Sequence, residues 1–220
     1  MKKIISLSLI ILAFATGIAK AQKTKAFEGT VTYEITYPGM QIDPAQTGQL
    51  PTSMTIKVKG VKSRMDMVTG VVSQSVVSDA TLRTQLVLLD VMGQKYAIRS
   101  TAADLDTAFN KIPPAKIELK TETKDIAGYA CKKATVTEEE QTYDIWYTEE
   151  IGPESNFANP SLHGIKGMLM EYETEQKGIK SKLTVKTVKA EKIKDITFMQ
   201  PAEYKELTKE EIKSMFGGGE

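Results

Sequence analysis

Residues 31–37, VTYEITY, alternate strictly between apolar and polar side chains. Val31, Tyr33 and Ile35 therefore fall on one face of an extended strand, with polar residues on the other. Successive side chains of a β-strand point to opposite faces, so this pattern predicts a strand with one buried and one solvated face. Strands of this kind are typical of antiparallel sheets.

The alternation continues along the chain in short segments separated by turn residues. SMTIKVKG (53–60) and KSRMDMV (62–68) predict a hairpin that turns at Gly60. Residues 85–91 are apolar on both faces, which predicts a central strand covered on both sides. We predict a mainly β fold of about ten or eleven strands with a few short helices. Because so many strands do not form a flat sheet, we expect one antiparallel sheet curled into a barrel or half-barrel, or a sandwich.

The chain divides into three parts. Residues 1–21 are predicted to be a signal peptide, residues 22–206 to form a single antiparallel β half-barrel domain, and residues 207–220 to form a short helix and a flexible tail. The helix is indicated by Thr208 and Glu211, which have the spacing of a capping box.

Two further segments interrupt the run of strands. Residues 102–111 predict a short helix that could cover the sheet as a lid, because Leu105 and Phe109 are four residues apart. Residues 152–167 predict a long loop within the domain, since they are dense in Gly, Pro, Asn and Ser.

The amino terminus has the three parts of a secretory signal. Lys2 and Lys3 precede an apolar stretch, and the small residues Ala19 and Ala21 mark a cleavage site. We therefore expect a periplasmic or secreted protein. The apolar stretch is shorter than a bilayer requires, and no longer one follows, so we expect no transmembrane segment in the mature chain.

Composition argues against several classes of partner and cofactor. The 29 basic and 28 acidic residues balance, which gives no long-range attraction for nucleic acid. With one cysteine, Cys131, and one histidine, His163, a zinc site of the Cys/His type is disfavoured. We expect no metal and no cofactor.

No catalytic motif is present around these two residues. Cys131 lies in a predicted strand and is expected to be a buried, unreactive core residue, and His163 lies in the predicted loop. We therefore expect no catalytic residues and predict that the chain is not an enzyme. Cys131 followed by Ala134 and Val136 breaks strict alternation, which predicts a bulge near Lys132 and Lys133.

Methionines recur at inward positions of the predicted strands. Methionine adapts its shape to an irregular core or to an apolar ligand, and both explanations stay open. As ligand-binding candidates we take Met54, Met65, Met67, Tyr96, Trp146, Met168 and Met170.

The order of these segments resembles a known family. IAGYACKKA (126–134) and YTEEI (147–151), together with the strands around them, resemble domain of unknown function 4412, secreted proteins typical of Bacteroidetes. That family is similar to the LolA/LolB lipoprotein carriers, so the resemblance implies a LolA-like half-barrel that holds acyl chains on its concave face.

Two functions are consistent with these observations. The first is an exported, non-catalytic envelope protein that binds a lipid or other apolar small molecule on the concave face of a β half-barrel. The alternative is a structural or protein-interaction module of the cell envelope, with a filled core and a protein partner.

Overall fold

The protein is described by a computed structural model, which covers residues 26–40, 48–138, 141–152, 160–162, 164–176 and 178–216. Within these ranges the chain forms one open, curled sheet of twelve strands and two α-helices. The predicted class, a mainly β fold built on a single curled sheet, is confirmed. The predicted signal peptide and His163 lie outside the described residues.

The strands and helices follow one another in short steps. The strands are β1 (Glu28–Thr36), β2 (Ser53–Lys59), β3 (Lys62–Val68), β4 (Val72–Asp79), β5 (Thr84–Val91), β6 (Gln94–Ser100), β7 (Lys116–Ile126), β8 (Tyr129–Glu138), β9 (Gln141–Thr148), β10 (Met168–Gln176), β11 (Ile179–Ala190) and β12 (Lys205–Glu206). The helices are α1 (Ala102–Phe109) and α2 (Lys209–Phe216), and short 3-10 turns lie at Pro160–Leu162 and Asp195–Phe198.

The sheet consists of two antiparallel meanders. Strands β1 to β6 form the first and β7 to β11 the second, and each strand pairs with its neighbours in sequence. The meanders join where β1 pairs with β11, from Gly29 opposite Ala190 to Thr36 opposite Lys182. The short strand β12 pairs with β6 in parallel and forms one edge, and β7 forms the other.

Register shifts occur at three of the strand pairs. One lies between Thr32 and Tyr33 against β11, one between Leu169 and Glu171 against β9, and one between Leu119 and Thr123 against β8. Bulges of this kind bend a strand and increase its twist, which lets a large sheet curl. The third shift lies beside the bulge predicted near Lys132, but on β7 instead of β8.

A central core fills the inner face of the sheet, which we define as the face of Val31, Tyr33 and Ile35. These side chains are buried, while Glu34 and Thr36 on the outer face are exposed. The core joins β1 and β2 to residues of the second meander. Among the described residues, the buried side chains of this core come from the strands and from Ile151 after β9, and not from a helix.

Tyr33 fixes the centre of this core by a polar contact. Its hydroxyl donates a hydrogen bond to the carbonyl oxygen of Leu169 at 2.5 Å. Its ring meets that of Tyr172 edge to face, with the centroids 6.4 Å apart. These contacts link β1 to β10 across the intervening strand β11.

The loop between β9 and β10 closes a second core. Leu162 and Ile165 from this loop are buried against Ala134, Val136 and Ile145 of β8 and β9. Each of the three strand residues is fully buried. Cys131 belongs to the central core instead, so β8 contributes to two cores.

Residues 193–207, which we call the C-terminal strap, cover the outer face of the first meander. Phe198 and Tyr204 of the strap pack against a third core, formed by Val77, Leu86, Leu88 and Ala97. The strap ends in β12, which pairs with β6. Leu86 and Leu88 are thus buried under a segment from the other end of the chain.

Arg64 on β3 binds the C-terminal strap by a hydrogen bond. Its guanidinium donates to the carbonyl oxygen of Thr197 at 3.0 Å, to Asp66 at 2.7 Å and to Ser75 at 3.0 Å. Burial alone would raise the pKa of the Asp66 carboxyl, but hydrogen bonds from Arg64 and Ser75 and the charges of Arg64 and Lys57 outweigh it and lower that pKa. Asp66 is therefore ionised where it orients Arg64.

Both helices begin at capping boxes. Thr101 accepts from the backbone of Asp104, whose carboxylate accepts from the backbone of Thr101 in return. Thr208 and Glu211 make the same pair of contacts at α2, as their spacing predicts. Helix α1 contacts β6. None of the helices within the described ranges is both long and apolar enough to cross a membrane.

Gly167 and Gly128 both have φ near 82°, but their surroundings differ. A Cβ at Gly167 would lie 2.8 Å from the Cα of Glu149, whereas a Cβ at Gly128 would meet nothing within 4 Å. We expect Gly128→Ala to lower the free energy of unfolding by about 1–2 kcal/mol, the cost of the left-handed backbone alone. Gly167→Ala should cost more than about 3 kcal/mol, because backbone must also move. Urea unfolding checks both, and equal losses would contradict the packing at Gly167.

The Arg64–Asp66 contact predicts a pH-dependent stability. Because the folded-state pKa of Asp66 is lowered, its stabilisation is present above the unfolded-state pKa, near 4, and is lost as pH falls toward the folded-state value. Asp66→Asn should therefore destabilise the protein by about 1–3 kcal/mol at pH 7 and by less at pH 3. Urea unfolding at both pH values measures this difference.

The control is Glu34→Gln, which removes an exposed ion pair with Lys186 and should change stability by less than about 0.5 kcal/mol. A loss for Asp66→Asn that is the same at pH 3 and pH 7 would contradict the assignment.

Candidate functional site

The predicted ligand-binding residues fall into two groups in the structure. Met54, Met65, Met67 and Tyr96 share the inner face of the first meander, because the strand register places them in two adjacent rows. Trp146, Met168 and Met170 belong to the second meander. The seven residues therefore do not line a single site.

The two rows form what we call the apolar strip, which runs across strands β2 to β6. One row is Ile56, Met65, Val76, Val87 and Ile98, and the other is Met54, Met67, Gln74, Leu89 and Tyr96. None of these ten side chains carries a charge. Met54 is buried, and the other nine are partly exposed.

Met168 and Met170 are core residues. They are 3% and 0% exposed and pack in the central core with Val31 and Tyr33. Their partners are protein side chains, so neither offers a surface to a ligand. Trp146 is half-buried and has the Lys124 ammonium over its ring, 5.5 Å from the centroid.

Cys131 is fully buried in the central core. Its thiol donates a hydrogen bond to the carbonyl oxygen of Tyr129 at 3.2 Å. Burial raises the pKa of the Cys131 thiol above its ordinary value, which disfavours the nucleophilic thiolate. Within the described ranges, no three His, Cys, Asp or Glu side chains are grouped to hold a metal ion.

The sheet opens between β9 and β10, at a feature that the sequence did not reveal. These two strands pair from Thr148 opposite Met168 to Ile145 opposite Tyr172, and no pairing follows among the described residues. Beyond that point β9 stays bound to β8, and β10 stays bound to β11. We call the space between residues 141–144 and 173–176 the fork.

A cleft of about 420 Å³ lies on one side of the fork. Its lining residues come from both strands, from the end of β8, from the start of β11 and from the loop at Leu162: Glu138, Gln141, Thr142, Tyr143, Ile145, Leu162, Tyr172, Glu173, Thr174, Glu175 and Lys180. This volume falls in the range of small-molecule sites. The cleft combines two tyrosine rings with three carboxylates.

A second cleft, of about 370 Å³, lies beside the first and shares four of its lining residues. It is lined by Thr142, Tyr143, Asp144, Trp146, Glu171, Tyr172, Glu173 and Lys182. Glu173 and the two tyrosines thus border both clefts, and the indole of Trp146 is added on this side.

Hydrogen bonds and charges hold the walls of the fork in place. The carboxylate of Glu171 accepts from Lys124 at 2.9 Å and lies 3.2 Å from the ammonium of Lys182. Burial alone would raise the pKa of Glu171, but the hydrogen bonds and charges of these lysines lower it overall. A hydrogen bond from Lys133 chiefly lowers the pKa of Asp144. Both carboxylates are therefore ionised at neutral pH.

The tyrosines of the fork stay protonated. Burial raises the pKa of Tyr172 to about 12. Burial, and then the hydrogen bond that its hydroxyl donates to Glu138 at 2.8 Å, raise the pKa of Tyr143. Glu173 is exposed where it lines both clefts, so its carboxylate can reach a ligand in either of them.

The fork therefore offers flat aromatic rings beside ionised carboxylates and hydroxyl groups. Rings of this kind pack against apolar C–H faces, and carboxylates accept hydrogen bonds from hydroxyl groups. In the sequence, "EYETE" (171–175) gives the pattern of a solvated strand face, and nothing local indicates that β9 and β10 separate.

This architecture defines a curled antiparallel β domain with an aromatic, acidic cleft. The chain belongs to the family described as N-glycanase peptide, N-terminal domain, whose profile matches residues 93–213, more than half of the sequence. The matched region contains the whole fork. The comparison with curated proteins gave no match.

Two solved structures share the fold. "Structure of PNGF-II in P21 space group" aligns with a TM-score of 0.56 and 17% identity over 88% of this chain. "Structure of PNGF-II in C2 space group" aligns with a TM-score of 0.54 and 15% identity over 88% of this chain. This chain spans 34% and 33% of those two chains, about a third of their length.

These findings correct three expectations. The resemblance to domain of unknown function 4412 and the LolA/LolB carriers is wrong, because the matching family is N-glycanase peptide, N-terminal domain, and both solved neighbours are PNGF-II. The description of the chain as LolA-like and lipid-binding is not supported by these matches. The prediction that the chain is not an enzyme is also contradicted, since its family is named for an enzyme.

The environment of Cys131 predicts an unreactive thiol. In the native protein at pH 7 we expect no modification by a water-soluble disulfide reagent, because the sulfur is buried and its pKa is raised. In urea the same reagent should modify one thiol per chain, the single cysteine of the sequence. Absorbance of the released chromophore measures both, and rapid native labelling would contradict the burial of Cys131.

Proposed function

We propose that this protein is an exported carbohydrate-binding domain that takes the glycan of a glycoprotein in the fork. The observation that carries the proposal is the separation of β9 from β10, which places Trp146, Tyr143 and Tyr172 beside the exposed carboxylate of Glu173. The two clefts have the size of small-molecule sites.

The chemistry of a glycan matches this arrangement. A sugar ring presents a face of C–H groups and a rim of hydroxyl groups. Trp146 can pack against the C–H face, as aromatic rings do with apolar surfaces. Glu173 and Asp144 can accept hydrogen bonds from the hydroxyls, and hydrogen bonds to charged acceptors are about twice as strong as neutral ones.

The charge of the fork favours neutral sugars. Acidic side chains outnumber basic ones in both clefts, since Lys180 is the single basic residue that lines the first and Lys182 the single one that lines the second. An anionic sugar would meet like charges at Glu173 and Glu175. Repulsion of this kind is a common basis of specificity.

The family supports the same assignment. An N-glycanase is named for its action on N-linked glycans, and this chain matches the N-terminal domain of that family over the part that forms the fork. A signal peptide at residues 1–21 would bring such a domain to glycoproteins outside the cytoplasm.

Trp146 makes glycan binding directly measurable, because it is the single tryptophan of the chain. We expect a neutral oligomannose N-glycan to change its fluorescence in a saturable way. Glu173→Ala should weaken binding at least about tenfold, the effect of one hydrogen bond to a charged group. The control is Glu210→Ala, an exposed carboxylate on α2, which should bind like the parent.

Calorimetry can also measure glycan binding by Trp146→Ala, which has no tryptophan fluorescence. We expect this variant to lose as much affinity as Glu173→Ala. Absence of binding by the parent, or equal binding by Glu173→Ala and Glu210→Ala, would contradict the proposal. Incubation of the same proteins with a glycoprotein, followed by mass spectrometry, shows whether the bound glycan is also released.

A further inference from the structure

Strand β7 is an open edge of the sheet, because no second strand among the described residues pairs with its outer side. It runs over Lys116–Ile126, eleven residues, whereas strands of globular proteins are usually about five or six residues long. The opposite edge, β12, has two residues. A very short edge strand is a common protection against pairing with another chain, and β7 lacks it.

The side chains of β7 are exposed along most of its length. Leu119 is 63% exposed and lies in the first half of the strand. A long edge strand presents backbone donors and acceptors that its own sheet does not use, so it is a template for a further strand. The chemistry of its side chains then decides which strand fits.

Charges of opposite sign alternate along β7. Lys116, Glu118 and Lys120 share one face, since the Glu118 carboxylate lies 2.8 Å from both ammonium groups. Glu122 and Lys124 continue the alternation in the sequence. Lysines on an edge strand normally discourage pairing. Here glutamates alternate with them, so the strand can meet a copy of itself with opposite charges face to face.

We propose that β7 pairs antiparallel with β7 of a second copy of this chain, with Leu119 opposite Leu119. In this register Glu118 lies opposite Lys120 of the second copy, and Lys116 lies opposite Glu122. Two-fold symmetry makes each contact twice, so four pairs of opposite charge form. Cross-strand pairs of opposite charge stabilise a sheet.

Neighbouring registers fit less well. A register centred on Lys120 places lysines opposite lysines and glutamates opposite glutamates, which destabilises a sheet. A register centred on Thr121 pairs opposite charges, but it depends on Lys124, whose ammonium already donates to Glu171 at 2.9 Å. The charges of β7 therefore favour the register centred on Leu119.

The pairing covers residues 116–122, because β7 begins at Lys116. Three of these residues, Lys120, Thr121 and Glu122, lie opposite no residue of β8 in the register. A bulge leaves backbone groups without partners on the neighbouring strand, and these can pair with the second copy. Seven residues make an interface below the standard size, so we expect a reversible dimer.

Sedimentation equilibrium of the full mature protein tests the pairing between about 1 and 500 µM. We expect the average mass to rise from that of one chain to that of two. Glu118→Lys places like charges opposite one another and should weaken the dimer at least about tenfold. Glu118→Lys combined with Lys120→Glu restores opposite charges in the proposed register and should dimerise like the parent. The control is Glu210→Lys, at an exposed position on α2, which should also dimerise like the parent.

A disulfide tests the register directly. Leu119→Cys brings two thiols together, because Cα atoms directly opposite in an antiparallel pair are about 4.5–5.5 Å apart, within the range of a disulfide. Mild oxidation should link most chains into a covalent dimer, measured by electrophoresis without reductant. The control is Val68→Cys, at a 62% exposed position in the other meander, which should form a covalent dimer at least about tenfold more slowly. Cys131 is buried and should not contribute in either variant.

Four results would overturn the proposal. They are the mass of one chain at every concentration, parent-like dimerisation of Glu118→Lys, failure of the double variant to dimerise, and equal rates of covalent dimer formation by Leu119→Cys and Val68→Cys. The pairing is separate from glycan binding, because β7 lines neither cleft of the fork. Glu118→Lys should therefore bind the glycan like the parent.

Discussion

The pairing of β1 with β11 is the contact on which the rest of the structure depends. It joins the two meanders into one sheet, from Gly29 opposite Ala190 to Thr36 opposite Lys182. The register shift between Thr32 and Tyr33 bends the sheet where β1 pairs with β11. Val31 and Tyr33 are buried there in a core to which strands of both meanders contribute.

The inner surfaces of the two meanders differ in chemistry. In the second meander, β10 carries a register shift between Leu169 and Glu171 and then leaves β9 after Tyr172, which opens the fork. In the first meander the strands stay paired, and the inner face presents the uncharged apolar strip. The domain therefore carries a polar cleft in one meander and an uncharged inner face in the other.

Much of the fold could be predicted because alternation is a local signal. VTYEITY and KSRMDMV indicate strands, and the register confirms the inward positions that alternation predicts for Met54, Met65 and Met67. Met168 and Met170 were assigned to a ligand by the same signal, but they are core residues, because alternation shows which face a side chain takes and not what covers it. Short motifs such as IAGYACKKA indicate the wrong family, whereas the matching family profile spans residues 93–213.

The sequence by itself determined the class of fold, the buried state of Cys131 and the capping of α2 at Thr208, since each follows from neighbouring residues. Only the tertiary structure decided that residues 193–207 cover β4 to β6, and that Tyr143, Trp146 and Glu173 meet at a fork. These features depend on contacts between residues far apart in the chain. Strand register and sheet curvature set such contacts, and the alternation pattern of a single strand predicts neither.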